Sequence, residues 1–163
     1  EEGTENVSAI LLGIARDSRN SYVQPTYGSL LQAGLAYQAE EIGSYTEAYR
    51  LVLSGTFYFP ILFDSDLLLP MTYSPILKLF GQIGHVNRMD GDEIRIFDRF
   101  FAGGSSSIRG FEPRQVGPID PLNLEPVGGK SIILMSAEII QPLVEDTIYA
   151  AAFADAGNVW PGS

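Results

Sequence analysis

Cysteine is absent from this chain of 163 residues, so neither a disulfide framework nor a cysteine-ligated zinc site is open to it. That absence suits any compartment, and a thiol-free chain has nothing to mispair in an oxidising one. Positive charge is scarce: 10 Lys and Arg stand against 20 Asp and Glu, a net charge of −10. With no basic stripe to neutralise phosphates, a nucleic-acid partner is not expected. No uninterrupted apolar run approaches the ~18 residues a membrane helix needs. The opening "EEGTENVS" also lacks the basic region and apolar core of a signal peptide. A membrane role is therefore open only through a β-barrel. What is present is hydrophobicity: 45% of residues are apolar, which excludes a disordered tail, in a length that suits one domain.

Helical periodicity is also sparse, and a period of two recurs. In 29–40, Leu31, Ala33, Leu35, Tyr37 and Ala39 share one face, and Gln32, Gln38 and Glu40 lie on the other. In 45–60, Tyr49, Leu51, Leu53, Phe57 and Phe59 alternate with Thr46, Arg50, Ser54, Thr56 and Tyr58. In 131–141, Ile133, Met135, Ala137 and Ile139 alternate with a mixed face that carries the one charge, Glu138. Segments 7–15 and 77–87 are apolar and contain glycine, without a clean face. Segment 147–158 is alanine-rich and has helical propensity. No capping pattern opens it and Asp155-Ala156-Gly157-Asn158 breaks it, so a strand is expected there as well.

Turn-forming residues separate these segments: Asn20, Pro25 and Gly28 in one connection and Asp90-Gly91 in another. Six strands of about 9 to 14 residues joined antiparallel suit a barrel or a large sandwich. Their length exceeds the soluble mode of about 5 to 6 residues. Tyr37, Tyr49, Phe57, Tyr58, Phe59, Tyr149 and Trp160 fall near strand ends, where the aromatic girdle of a membrane barrel lies. A soluble antiparallel sandwich acting as a binding module is the alternative, because its inner face alternates too.

Catalytic and ligand motifs are poor. "VGGKS" at 127–131 echoes a phosphate-binding loop, but Leu124 stands where that motif needs glycine, and a strand follows rather than a helix. His85, the single histidine, has no nucleophile motif nearby and reads as structural or facing a barrel interior. Asp90–Glu93 lacks the ligand spacing of a calcium loop and reads as a solvated turn, as do Asp64 and Asp66. No catalytic residue, metal site or cofactor is expected.

Arg109 is another matter. It stands in "FFAGGSSSIRGFEPRQVGP" at 100–118, a glycine- and serine-rich connection between two strand-like segments. An arginine between Gly104 and Gly110 is held in place only if something charged opposes it. Glu138 and Asp155 lie in later strands where charge is otherwise unwelcome, and an inward-folded loop can bring Arg109 to them through charge-assisted hydrogen bonds.

"RFFAGGSSSIRGFEPRQVGP", then "GGKSIILMSAEIIQPL" and "AAFADAGNVW", resemble in order and spacing the C-terminal barrel of the Omp85 superfamily. "ARDSRNSYVQPTYGSLLQAGLAY", with Asp17, Ser18, Arg19, Pro25 and Gly28, is similar to that family's signature on an adjacent hairpin. The resemblance covers nearly the whole chain. It implies an all-β fold, part of an antiparallel transmembrane β-barrel, with a long loop that folds inward from the extracellular side. It also implies that the Ile108-Arg109-Gly110-Phe111 motif sits at the loop tip, with Arg109 paired to Glu138 and Asp155. Gly110 is then a tight turn and Phe111 packs on the barrel wall.

Family barrels have sixteen strands, and the six here are most like the eighth to thirteenth. Residues 1–163 are thus expected to be part of a larger protein, with the POTRA domains and the first and last strands outside them. The implied function is folding and inserting β-barrel proteins into an outer membrane, without bond chemistry. The implied partners are membrane lipids, unfolded barrel clients and accessory assembly subunits. Related translocation pores of the superfamily (autotransporter assembly, two-partner secretion, organelle import) are the nearest alternative.

Overall fold

The computed structural model describes residues 7–44, 46–61, 74–91, 93–144 and 147–162. Asp64, Asp66 and Asp92 lie outside them. Six strands form one sheet: β1 (Ala9–Asp17), β2 (Gly28–Gln38), β3 (Ala48–Pro60), β4 (Ile76–Arg88), β5 (Ser131–Val144) and β6 (Ile148–Trp160). They pair in chain order, each antiparallel to the next. All six expected segments are strands, with ends that coincide or are displaced by up to three residues. The alanine-rich last segment is β6, because its backbone groups are taken by the ladder to β5. After β2 the chain makes a short 3₁₀ turn over Glu40–Ile42, closed by Gly43 at φ 85°.

Register divides the sheet into two faces, since side chains alternate along each strand. One row runs Leu31–Gly55 and another Leu53–Ile83–Ile133–Asn158. This outer face carries Ile10, Leu12, Ile14, Leu31, Leu51, Leu53, Phe57, Phe59, Leu79, Ile83, Ile133, Met135 and Ile139, all exposed. Such an apolar band is too extensive for a surface in water. Tyr37 pairs with Tyr49 at one end of the band, while Phe57 and Phe59 stack at 6.5 Å near the other. Tyr58 and Tyr149 share the opposite face, so of the seven aromatics expected in a girdle these two point inward.

Residues 93–130 of the connection between β4 and β5 pack on the inner face of β3 to β6. Val86, Ile132, Leu134 and Val159 of the sheet pack against Ile94, Phe100, Ala102 and Ile108 of the loop, all of them buried. Val52, Phe80 and Val116 close around this cluster. Phe100 and Gly129 exchange both backbone hydrogen bonds, at 2.8 and 3.0 Å, and so close residues 101–128 into a loop of their own. The Phe100 ring seats on Gly84, where an added Cβ would lie 2.7 Å from it. Arg50 lies over the ring, 4.2 Å from its centroid, and donates to the Asp98 carbonyl at 3.4 Å.

Candidate functional site

The loop tip begins with a small ring of backbone. Gly104 N–H donates to the Phe111 carbonyl at 3.0 Å, and Ser107 N–H to that of Gly104 at 3.2 Å. Ser107 Oγ both accepts from Gly103 N–H and donates to the Gly103 carbonyl, at 2.8 and 2.9 Å. Gly103 adopts φ 110°, and a Cβ there would meet the Glu112 carbonyl oxygen at 2.3 Å. Gly110 adopts φ 90° with open space around it, so its requirement is conformational alone. Ile108 is buried beneath this ring, which aims the next residue at the sheet.

That residue, Arg109, meets Asp155 through three donors. Nε donates to Oδ2 at 2.7 Å, Nη2 to Oδ1 at 2.8 Å, and the backbone N–H to Oδ2 at 3.0 Å. The Asp155 side chain is 3% exposed, the Arg109 side chain 26%. Nη2 also reaches Ser136 Oγ at 3.0 Å, and Ser136 donates in turn to Asp155 Oδ1 at 2.7 Å. Nη1 lies 3.4 Å from Glu138 Oε1, a looser contact. The guanidinium lies over the Phe153 ring at 3.5 Å from its centroid, a cation–π arrangement. Its pairing with Asp155 raises the arginine pKa further above its ordinary high value.

Pairing across β5 and β6 explains this convergence. Ser136 faces Asp155 and Glu138 faces Phe153, so all four point into the inner face within two rungs. Lys78 of β4 faces Glu138 and donates to its Oε2 at 3.4 Å. Two cations and two carboxylates thus balance in one cluster. The loop leaves the sheet at Arg88 and returns at Ser131, yet contacts Ser136 and Glu138. At about 3.3 Å per residue, its tip runs roughly 15–25 Å down the inner wall.

The other sequence-selected residues lie elsewhere. Arg19 forms a two-pronged pair with Asp17, at 3.0 and 2.7 Å, and its backbone N–H adds a third bond at 3.0 Å. The arginine pKa is raised by that partner. Ser18 Oγ bonds Ser29, and Asn20 closes the hairpin on Thr26 and Tyr27 around half-buried Pro25. Gly28 sits at φ 101°, where a Cβ would strike the Ser18 carbonyl at 2.3 Å. None of these residues reaches Arg109.

Two placements differ from expectation. Phe111 is 58% exposed; the aromatic against the arginine is Phe153, because the Gly110 turn carries Phe111 away from the sheet. Of the two readings of His85 the interior one fails and the structural one fits: it is on the outer face, with Nδ1 2.8 Å from Ser131 Oγ and its ring tilted against Tyr49. Asp90, in the polar turn, is paired by Arg88. Ser136, Phe153 and Lys78 were not singled out from the sequence. Parity offered a signal for the first two, since each stands two residues before a selected acid.

An apolar outer face, an inner face of mixed polar and apolar side chains and a loop clamped to it by a partly buried ion pair define a class: part of a transmembrane β-barrel with an inward-folded loop. The sequence profile of the Omp85 superfamily domain matches residues 1–163. The chain belongs to the Omp85 superfamily. It is 31% identical over 159 residues to the outer membrane protein assembly factor BamA of Neisseria meningitidis serogroup B, covering 93% of this chain and 18% of that protein. It is also 31% identical over 118 residues to the bovine sorting and assembly machinery component 50 homolog, covering 72% of this chain and 23% of the relative. A crystal structure of BamA from Haemophilus ducreyi lacking POTRA domains 1–3 has the same fold, with a TM-score of 0.74 at 22% identity. That match covers 93% of this chain and 30% of the other. The chain spans about a fifth of the length of the curated relatives.

Proposed function

We propose that this chain is part of the C-terminal barrel of an outer-membrane assembly factor that folds and inserts β-barrel proteins. The observation that carries the reading is the clamp of Arg109 on Asp155, Ser136 and Glu138. It fixes a long loop against the barrel wall, and the Ser136 hydroxyl and both carboxylates beside it are taken up in that pairing. In this reading the loop sets the shape of the lumen while client strands engage the barrel elsewhere, and no bond is made or broken. The exposed outer face meets lipid, unfolded barrel proteins are the clients, and accessory subunits bind through domains outside residues 1–163.

The test is Arg109→Ala in the full-length protein, read as the rate at which a client barrel folds into proteoliposomes. Assembly slows, and Arg109→Lys restores little, because an ammonium cannot supply the fork that grips both Asp155 oxygens. Assembly at the unaltered rate, with a normally folded barrel, would overturn the proposal.

A further inference from the structure

Glu138 is shared. Its Oε1 faces Arg109 Nη1 and its Oε2 faces Lys78 Nζ, each at 3.4 Å. Asp155 has a resident donor too, since Ser136 Oγ bonds its Oδ1 at 2.7 Å from the neighbouring strand. Both acids therefore hold partners on the wall itself, independent of the loop. Lys78 sits opposite Glu138 in the β4–β5 ladder, fixed by register rather than by the loop, and its side chain is 35% exposed.

A carboxylate left buried and unpaired is expensive. Were Arg109 the sole cation, lifting the loop would leave two acids uncompensated on adjacent strands. With Lys78 present, Glu138 keeps a counter-charge and Asp155 keeps a hydroxyl donor. The same lysine, a like charge beside the arginine, also weakens the pull of the acids on the docked loop.

We propose that Lys78 is a positioning residue that holds the Arg109 cradle ready while keeping the loop tip releasable: it lowers the cost of undocking and so weakens docking. This deepens the proposed function and rests on it only for the meaning of release. The sign is unusual, because removing this salt bridge strengthens the folded arrangement of the loop.

The experiment uses the full-length protein in lipid nanodiscs, with amide hydrogen exchange of segment 104–112 followed by mass spectrometry. The amide of Arg109 reports docking directly, since Asp155 on the wall accepts from it, while those of Gly104 and Ser107 are bonded within the tip and report its order. Lys78→Met slows their exchange about two- to fivefold, the range of a partly exposed charge interaction, and Lys78→Arg restores the original rate. Exchange that is unchanged or faster in Lys78→Met overturns the proposal. A second comparison stands apart from that variant: Glu138→Gln speeds exchange, and adding Lys78→Met to it slows exchange again. A double variant exchanging as fast as Glu138→Gln alone would equally sink it. Client folding measured on the same samples separates the two readings: slower exchange with unaltered assembly upholds the role of Lys78 in docking and removes the role of docking in assembly.

Discussion

Asp155 accepts three hydrogen bonds from Arg109, one of them from the arginine's own backbone N–H. Side-chain truncation of Arg109 therefore removes two of the three, whereas changing Asp155 removes the charge that all three address. The neighbouring Glu138 contact, at 3.4 Å, is longer than a tight charge-assisted bond of about 2.7–2.9 Å.

The two acids should accordingly differ. Asp155→Asn keeps the shape but leaves the guanidinium facing a neutral amide, at a cost of about 1–3 kcal/mol. Glu138→Gln costs less, within about 1 kcal/mol. Urea unfolding of the full-length barrel from vesicles, with limited proteolysis of the loop, gives the order. Equal losses in the two variants would contradict this ranking.

Two glycines are predicted to be irreplaceable for backbone reasons. Gly28→Ala and Gly103→Ala each drive a Cβ to 2.3 Å from a carbonyl oxygen at positive φ. Strain of about 1–3 kcal/mol is expected from each, read as a lower unfolding midpoint. Gly110→Ala, with open space around it, should lose less and mainly loosen the tip.

Gly84 and Phe100 form a seat and its occupant. Gly84→Ala crowds the ring at 2.7 Å and should cost about 1–3 kcal/mol. Phe100→Leu in the same chain relieves part of that cost, so the double variant is more stable than the sum of the singles predicts. A double-mutant cycle in heat denaturation checks it; strict additivity would show the contact to be unimportant.

Leu53 and Ser54 are adjacent but face opposite sides of the sheet. Leu53→Lys places a cation on the lipid side and should cost about 2–4 kcal/mol near the bilayer midplane. Ser54→Lys, pointing inward between Gln32 and Gln82, should cost far less. Folding yield into vesicles separates the two, and similar yields would refute the assignment of faces.

Strand existence was legible because period-two alternation survives wherever one face meets lipid and the other meets polar groups. Strand ends were less so. Ala39 and Glu40 continue the alternation of β2, yet Ala39, still extended, only precedes a 3₁₀ turn that takes Glu40 and closes on Gly43 at positive φ. Arg109, Glu138 and Asp155 stood out because charge amid apolar or glycine-rich sequence needs a reason. Lys78, Ser136 and Phe153 did not, since their place in the cluster depends on inter-strand register, which no single strand carries. Phe111 departs from what the resemblance implies, since the direction of a side chain after a left-handed glycine follows from the turn rather than from apolarity. His85 went to the outer face by parity alone, in a segment whose alternation is blurred by Gly81 and Gly84.

The paired bonds between Phe100 and Gly129 carry a consequence for descent. An excursion closed on itself by one bridged pair transmits little tension to the strands beyond it. Stretches of 101–128 away from the packed Ala102, Ile108 and Val116, the Gly103 turn and the Arg109 clamp can therefore change length while His85 and Ser131 stay in register. The anchored Arg109 tip then behaves as a cargo on a fixed mooring, retained by the clamp at its end and not by the length of chain that delivers it.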